Sequence, residues 1–281
     1  MIGTAAITGI IMMLVGGVII PIAVWIWWIK THDEKISTVL IGAATWFLFA
    51  MVLERLPLYI LFNPTTDVGR TVTGSVVLYV VIAALLAGIF EETGRLVAFK
   101  TVLRKRTNKE TGISHGIGHG GFEALFILGI TGVQYLLYAS MISSGRFQEV
   151  IDQAVAQGMD TASIEALPGQ LMAITPLTGL MSLLERVFAM VMHTGLSIMV
   201  FYATRDSRMK LYVLAILLHA LMDVPAALYQ KGVLNLYVCE ALIGVYAIVF
   251  FIIVYRMLYQ KDRSNPKRTE KPDYYVERLN R

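Results

Sequence analysis

Apolar residues in this chain come in long runs. Seven of them, at about 4–29, 36–62, 74–99, 112–142, 176–204, 209–230 and 233–258, are long enough for a helix rising 1.5 Å per residue to cross a hydrocarbon core of roughly 30 Å. The pattern predicts an all-α fold, a polytopic membrane bundle of about seven transmembrane helices. The first run has no basic leader and no small-residue cleavage site, and it exceeds the apolar core of a signal peptide, so it reads as a retained span. The run organisation predicts one transmembrane helical domain over 1–259, with a catalytic core at about 74–230 and a polar, basic tail over 260–281. No internal repeat or second soluble domain is visible.

Polar positions between the runs set an orientation. With the amino terminus outside, the inner segments collect 18 lysines and arginines while the outer loops hold only Arg70, Arg146 and Lys231. By the positive-inside rule this predicts an N-out, C-in topology, in a multi-pass protein of a bacterial plasma membrane. The longest outer loop, roughly 143–175, contains "RFQEVIDQAVAQGM", which has the pattern of a short surface helix.

Composition agrees with the run pattern: 56% of residues are hydrophobic, 16% are charged, and mean hydropathy is +0.64. An ordinary soluble domain is excluded. The net charge of +4 follows from basic residues beside anionic lipid and calls for no nucleic acid, of which no motif appears. The single Cys239 lies in an apolar run and has no partner for a disulfide.

Ionisable side chains at bilayer depth are costly, so each one inside a run is a candidate for function. The third run carries Glu91, Glu92 and Arg95; the fourth, His119 and Glu123; the fifth, Glu185, Arg186 and His193; the sixth, His219 and Asp223. Measured from the inner basic residues, Glu92, His119, His193 and His219 all fall roughly 12–18 Å into the membrane. Four helices therefore bring polar groups to one layer. Four pairs there stand one turn apart on a shared helix face: Glu91 with Arg95, His119 with Glu123, His193 with Ser197, and His219 with Asp223.

Hydrolysing a peptide bond inside a membrane needs an activated water and a donor for the developing oxyanion. The chain has no HExxH helix, no serine elbow, no GxGD aspartate, and no lysine at the centre of a span. A glutamate and histidine site remains, with Glu91, Glu92, Arg95, Glu123, His193, His219 and Asp223 as the candidate catalytic set. Glu91 and Glu92 point about 100° apart, so one can face a cavity as base while neighbours hold the other. His193 and His219 can donate to an oxyanion or bind a metal, and Asp223 can fix the tautomer of His219. A zinc reading draws its ligands from His119, Glu123, His193 and His219.

Other polar residues read as structural. Ser197 reads as packing, His115 as interfacial, Glu185 with Arg186 as a structural pair, and Glu54 with Arg55 and Glu240 as structural or interfacial. Trp25, Trp27 and Trp28 read as an aromatic belt. Gly112, Gly116 and Gly120 form a ridge of small residues that lets a neighbouring helix come close, and this is expected to bring His119 and Glu123, on the adjoining stripe, within reach of other helices, the one carrying Glu91 among them.

In "EETGR", "HGGFE", "HTGLS" and "HALMD", in that order over residues 91–223, the sequence resembles the superfamily of CAAX prenyl proteases and bacteriocin-processing enzymes. "EETGR" has two residues before its arginine where the prenyl-protease form has three, and Glu123 stands where that form has histidine. The resemblance is therefore nearer to the YhfC-like and PrsW-like branches. It implies an intramembrane protease of membrane protein or peptide substrates, in which Glu91 activates water and His193 and His219 stabilise the oxyanion. Asp223 would stand at the place of the superfamily's asparagine or aspartate. Two other classes compete: a non-catalytic scaffold on the same fold, which degraded glutamates would signal, and an ion-coupled transporter, which inverted repeats and broken helices would signal.

Overall fold

The computed structural model describes residues 1–32, 34–159 and 161–262. Most of the expected tail, residues 263–281, lies outside the described residues. The described residues form helices joined by turns, with no strand among them, and seven helices are long and apolar enough to cross a membrane. In chain order these are α1 (Thr4–His32), α2 (Ile36–Leu61), α4 (Val76–Lys100), α5 (Glu110–Ser143), α8 (Pro176–Arg205), α9 (Lys210–Gln230) and α10 (Leu236–Tyr259). Three shorter helices intervene, α3 (Asp67–Gly74), α6 (Gln148–Ala156) and α7 (Ala162–Ala173). Helix α6 is the surface helix expected in the long loop.

Local chemistry explains several boundaries. The Ser75 hydroxyl accepts from the Leu78 amide at 3.3 Å to open α4, and Asn235 accepts from the Val238 amide at 3.0 Å to open α10. Three spans loosen into π-helical turns, at Phe47–Leu53 in α2, Leu125–Ile130 in α5 and Tyr255–Tyr259 in α10. Such turns redirect every side chain beyond them.

The chain forms two compact units. One comprises Met1–Pro21 and Ala124–Arg186; the other comprises Ile22–Glu123 and the described residues from Val187 onward. In the first unit, the opening half of α1 packs on the later part of α5 and the opening half of α8, with Leu14 against Gly132 and Gly9 against Gly179. In the second, α4 runs close beside α9, where a Cβ added to Gly88 would lie 2.6 Å from the Ile216 carbonyl oxygen.

Trp28, Phe99, Ile113, Met192, Phe201 and Phe250 contribute to the buried core of this second unit. Trp25 and Trp28, expected in an interfacial belt, instead donate their indole N–H to the Ile117 carbonyl and the Ser114 hydroxyl, each at 2.7 Å. Each finds its partner on α5, which serves an indole withdrawn from the surface better than an interface does.

Helix α8 has the lowest mean hydropathy of the seven spans, 1.6, yet 78% of its most apolar window is buried, against 22–39% in the others. Lipid solvates apolar side chains but not polar ones, so the least apolar span is the one enclosed.

Candidate functional site

The second unit gathers the predicted polar layer from four spans. Helix α4 supplies Glu91, Glu92 and Arg95; α5 supplies His115, His119 and Glu123; α8 supplies His193 and Ser197; α9 supplies His219 and Asp223. Glycine makes this convergence possible. A Cβ on Gly116 would lie 2.4 Å from the Thr194 Cα, and one on Gly42 would lie 2.2 Å from the His115 carbonyl oxygen. Helix α5 is thus approached by the backbones of α8 and α2 more closely than any other side chain permits. The glycine ridge faces the helix carrying His193, since Gly112, Gly116 and Gly120 all meet α8 residues, and His119 on the adjoining stripe reaches Glu91 as expected.

Arg95 is fully buried and organises the site. Its Nη1 donates to Glu92 Oε1, its Nε to the Ser197 hydroxyl at 3.2 Å, and its Nη2 to His193 Nδ1 at 2.7 Å. A guanidinium can only donate, so His193 Nδ1 is an acceptor and the ring proton resides on Nε2. That Nε2 lies 2.6 Å from Glu123 Oε2. His219 Nδ1 lies 2.7 Å from Glu92 Oε1 and donates to it, while its Nε2 is 3.6 Å from Asp223 Oδ2. Glu92 is thereby held by Arg95 and His219 together.

Glu91 is placed differently. His119 Nε2 donates to its Oε2 at 2.8 Å, and Arg95 Nη2 stands 3.8 Å away. With 7% of its surface exposed where Glu92 has none, Glu91 is the less enclosed carboxylate of the pair. Asp223 sits at the rim, its side chain 35% exposed.

Four residues not counted toward the site in the sequence belong to it or border it. His115, expected at the interface, is fully buried. The Thr45 hydroxyl donates to the Ile41 carbonyl at 2.7 Å and so accepts from His115 Nε2 at 3.4 Å. This leaves His115 Nδ1 to accept from Ser197 at 3.2 Å, and leaves a Ser197 lone pair for Arg95. Ser197 is therefore a polar bridge and not simply packing. Glu54 is also buried, and the ionisable residues His219, Asp223 and Glu123 are among those near it. The available signals were the one-turn spacing of His115 from His119 and an ionisable residue inside an apolar run. In contrast, Glu185 and Arg186 do pair with each other, as expected.

The donor set suits a divalent cation. One donor atom each from Glu91, His193 and His219 lies within 4.8 Å of the others, and two imidazoles with a carboxylate form a set that catalytic zinc uses. Two of these are predicted ligands; Glu91 takes the place of His119 and Glu123, which stand one contact farther out, on Glu91 and on His193. His119 Nδ1 and Glu92 Oε2 are buried with no hydrogen-bond partner among the described residues, which fits a centre built to hold a further polar species. Both ring nitrogens of His193 have partners, so a cation bound there replaces either Arg95 or Glu123.

Comparison with known proteins gives two matches. The family model described as YhfC intramembrane metalloprotease matches residues 16–244. The membrane protein YhfC of Bacillus subtilis (strain 168) is 30% identical over 218 residues, covering 77% of this chain and 82% of its own. No solved structure matches.

Proposed function

The chain belongs to the YhfC intramembrane metalloprotease family, and on that premise we propose that this multi-pass membrane protein hydrolyses peptide bonds of membrane-associated proteins or peptides, with Glu91 as the base that activates water. The observation carrying this reading is the contrast between adjacent carboxylates: Glu92 is sealed between Arg95 and His219, whereas Glu91 is less enclosed, beside His193 and His219.

In the proposed reaction Glu91 accepts a proton from water as the oxygen attacks the scissile carbonyl carbon. His119 orients the carboxylate by its hydrogen bond to Oε2. The His193 Nε2–H, which points to Glu123 in the resting site, donates to the oxyanion of the tetrahedral intermediate, with His219 beside it. Collapse breaks the C–N bond, and protonated Glu91 returns its proton to the departing amine. Arg95 and Glu92 position the two histidines, and Asp223 is the carboxylate nearest the free nitrogen of His219.

A divalent metal, which the family name implies, would be held by Glu91, His193 and His219 and would polarise the carbonyl or lower the pKa of bound water. Charge asymmetry supports a reading with the amino terminus outside and the carboxyl terminus inside a plasma membrane. Retention of both glutamates and all three inner histidines favours this reading over a catalytically inactive scaffold on the same fold.

The direct test is Glu91→Gln in purified, folded protein. Cleavage of a membrane-embedded substrate should fall by about 10²–10⁴-fold with thermal stability retained. A fully active variant would remove Glu91 from the mechanism. Parallel assays with and without chelator, alongside metal analysis, separate the two forms of the chemistry. Activity in metal-free protein would leave the glutamate and histidines as the whole machinery, and loss on chelation restored by zinc would assign them a metal.

A further inference from the structure

Away from the glutamate and histidine cluster, a cavity of about 940 Å³ opens between α9 and α10, with Met199 of α8 among its lining residues. Leu218 lines it from α9, and Val249 and Ile253 line it from α10; neither His219 nor Asp223 does. From Leu211 to Pro225 its α9 wall runs about 21 Å, more than half the thickness of a hydrocarbon core. The wall is apolar almost throughout. Its one hydroxyl, on Tyr246, is committed to the Leu218 carbonyl at 2.9 Å.

The character changes at one end, where Arg208 and Lys261 line the groove. They meet there because α9 begins and α10 ends on the same side. Both side chains are exposed, and neither has a carboxylate partner among the described residues. The nearest acidic residues in sequence are already engaged: Asp262 accepts from Arg205 at 2.6 Å and from the Tyr202 hydroxyl at 2.9 Å, and Asp206 accepts from Arg205 at 2.7 Å. Two exposed cations, neither paired with a carboxylate among the described residues, thus cap an apolar, elongated groove.

We propose that this groove binds an anionic glycerophospholipid of the surrounding bilayer, with its headgroup phosphate between Arg208 and Lys261 and its acyl chains along α9 and α10. Each feature excludes a class of occupant. The apolar walls offer nothing to a soluble anion, and the two cations favour an anionic headgroup over a zwitterionic one. On the orientation proposed above, the charged end lies at the cytoplasmic leaflet, where acidic lipids concentrate. The site is independent of the proposed peptidase activity.

Native mass spectrometry of the full chain, incubated with phosphatidylglycerol or phosphatidylcholine of matched acyl chains, tests the proposal. Wild type should retain phosphatidylglycerol preferentially, by about fivefold for each basic residue engaged. Arg208→Gln with Lys261→Gln should abolish that preference, and Val249→Trp, filling the groove, should lower retention of both lipids. Equal retention of the two lipids by wild type, or a preference that survives the double substitution, would overturn the proposal. Competition by glycerol 3-phosphate as effective as the intact lipid would remove the groove from recognition. A lipid-free dimer blocked by Val249→Trp would assign the groove to a second copy of the chain.

Discussion

Helices α8 and α10 present opposite solutions to life in a bilayer. Helix α10 is one of the most apolar spans, with a mean hydropathy of 2.4, yet only 39% of its apolar window is buried; α8 has the lowest value, 1.6, and is 78% buried. In water the order would reverse. Against lipid an exposed valine costs nothing, whereas a histidine, a serine hydroxyl or the bare backbone of a glycine ridge needs a protein partner. The lesson is that hydropathy locates the spans, and polarity within a span locates the core.

The largest effect should come from removing the guanidinium that bonds Ser197 and His193 of the enclosed helix. Arg95→Ala leaves the buried Glu92 carboxylate without its cation and should destabilise the protein by about 3–5 kcal/mol, read as a lowered Tm in detergent; a cost below about 1 kcal/mol would mean that the polar centre does not hold α8 in place. Next in size is the close approach of α5 to α8. Gly116→Ala drives a methyl group into the Thr194 backbone and should cost about 1–3 kcal/mol, whereas Gly169→Ala, with open space around it, should be nearly neutral. Equal effects at the two positions would contradict the packing described.

A smaller effect should appear outside the spans, at Glu34 between α1 and α2. Burial raises its pKa above the ordinary 4.5, against the opposing pull of hydrogen bonds from Asn108 and Thr38 and the charge of Arg106. The folded state therefore holds a proton that the unfolded state releases. Stability from this group should increase as pH falls from neutrality through the raised value toward about 4.5, and should be lost as pH rises again. Glu34→Gln should flatten that part of the Tm profile, and a parallel profile for wild type and variant would refute the assignment. The smallest effect belongs to the lipid-facing side: Val245→Leu on α10, at a residue 65% exposed, should change stability by no more than about 0.5 kcal/mol.

Much of the fold was legible because depth in a membrane is a one-dimensional quantity. Residue spacing from the basic boundaries measures it directly, so the seven spans emerged with ends within about three residues of the structure. The common layer of Glu92, His119, His193 and His219 was legible for the same reason. One-turn pairing also carried over, since Glu91, Arg95, His119, Glu123, His193, Ser197, His219 and Asp223 all meet in one site. The candidate metal set was only half legible: His193 and His219 stand in it, but spacing offered no way to prefer Glu91 over His119 and Glu123.

What one dimension cannot encode is the direction in which each helix is turned and which neighbour stands there. Those depend on how glycine surfaces and π-helical turns let helices pack, and packing is settled jointly by several helices distant in sequence. The ridge of Gly112, Gly116 and Gly120 was readable as a contact surface, but only the fold assigned it to α8. For the same reason His115 read as interfacial by depth yet is buried against Ser197 and Thr45, and Trp25 and Trp28 donate to α5 in place of forming a belt. The difference between Glu91 and Glu92 has the same origin. Their 100° separation ensured that their surroundings would differ, and the arrangement of Arg95, His219 and His119 decided which carboxylate was sealed and which was left less enclosed.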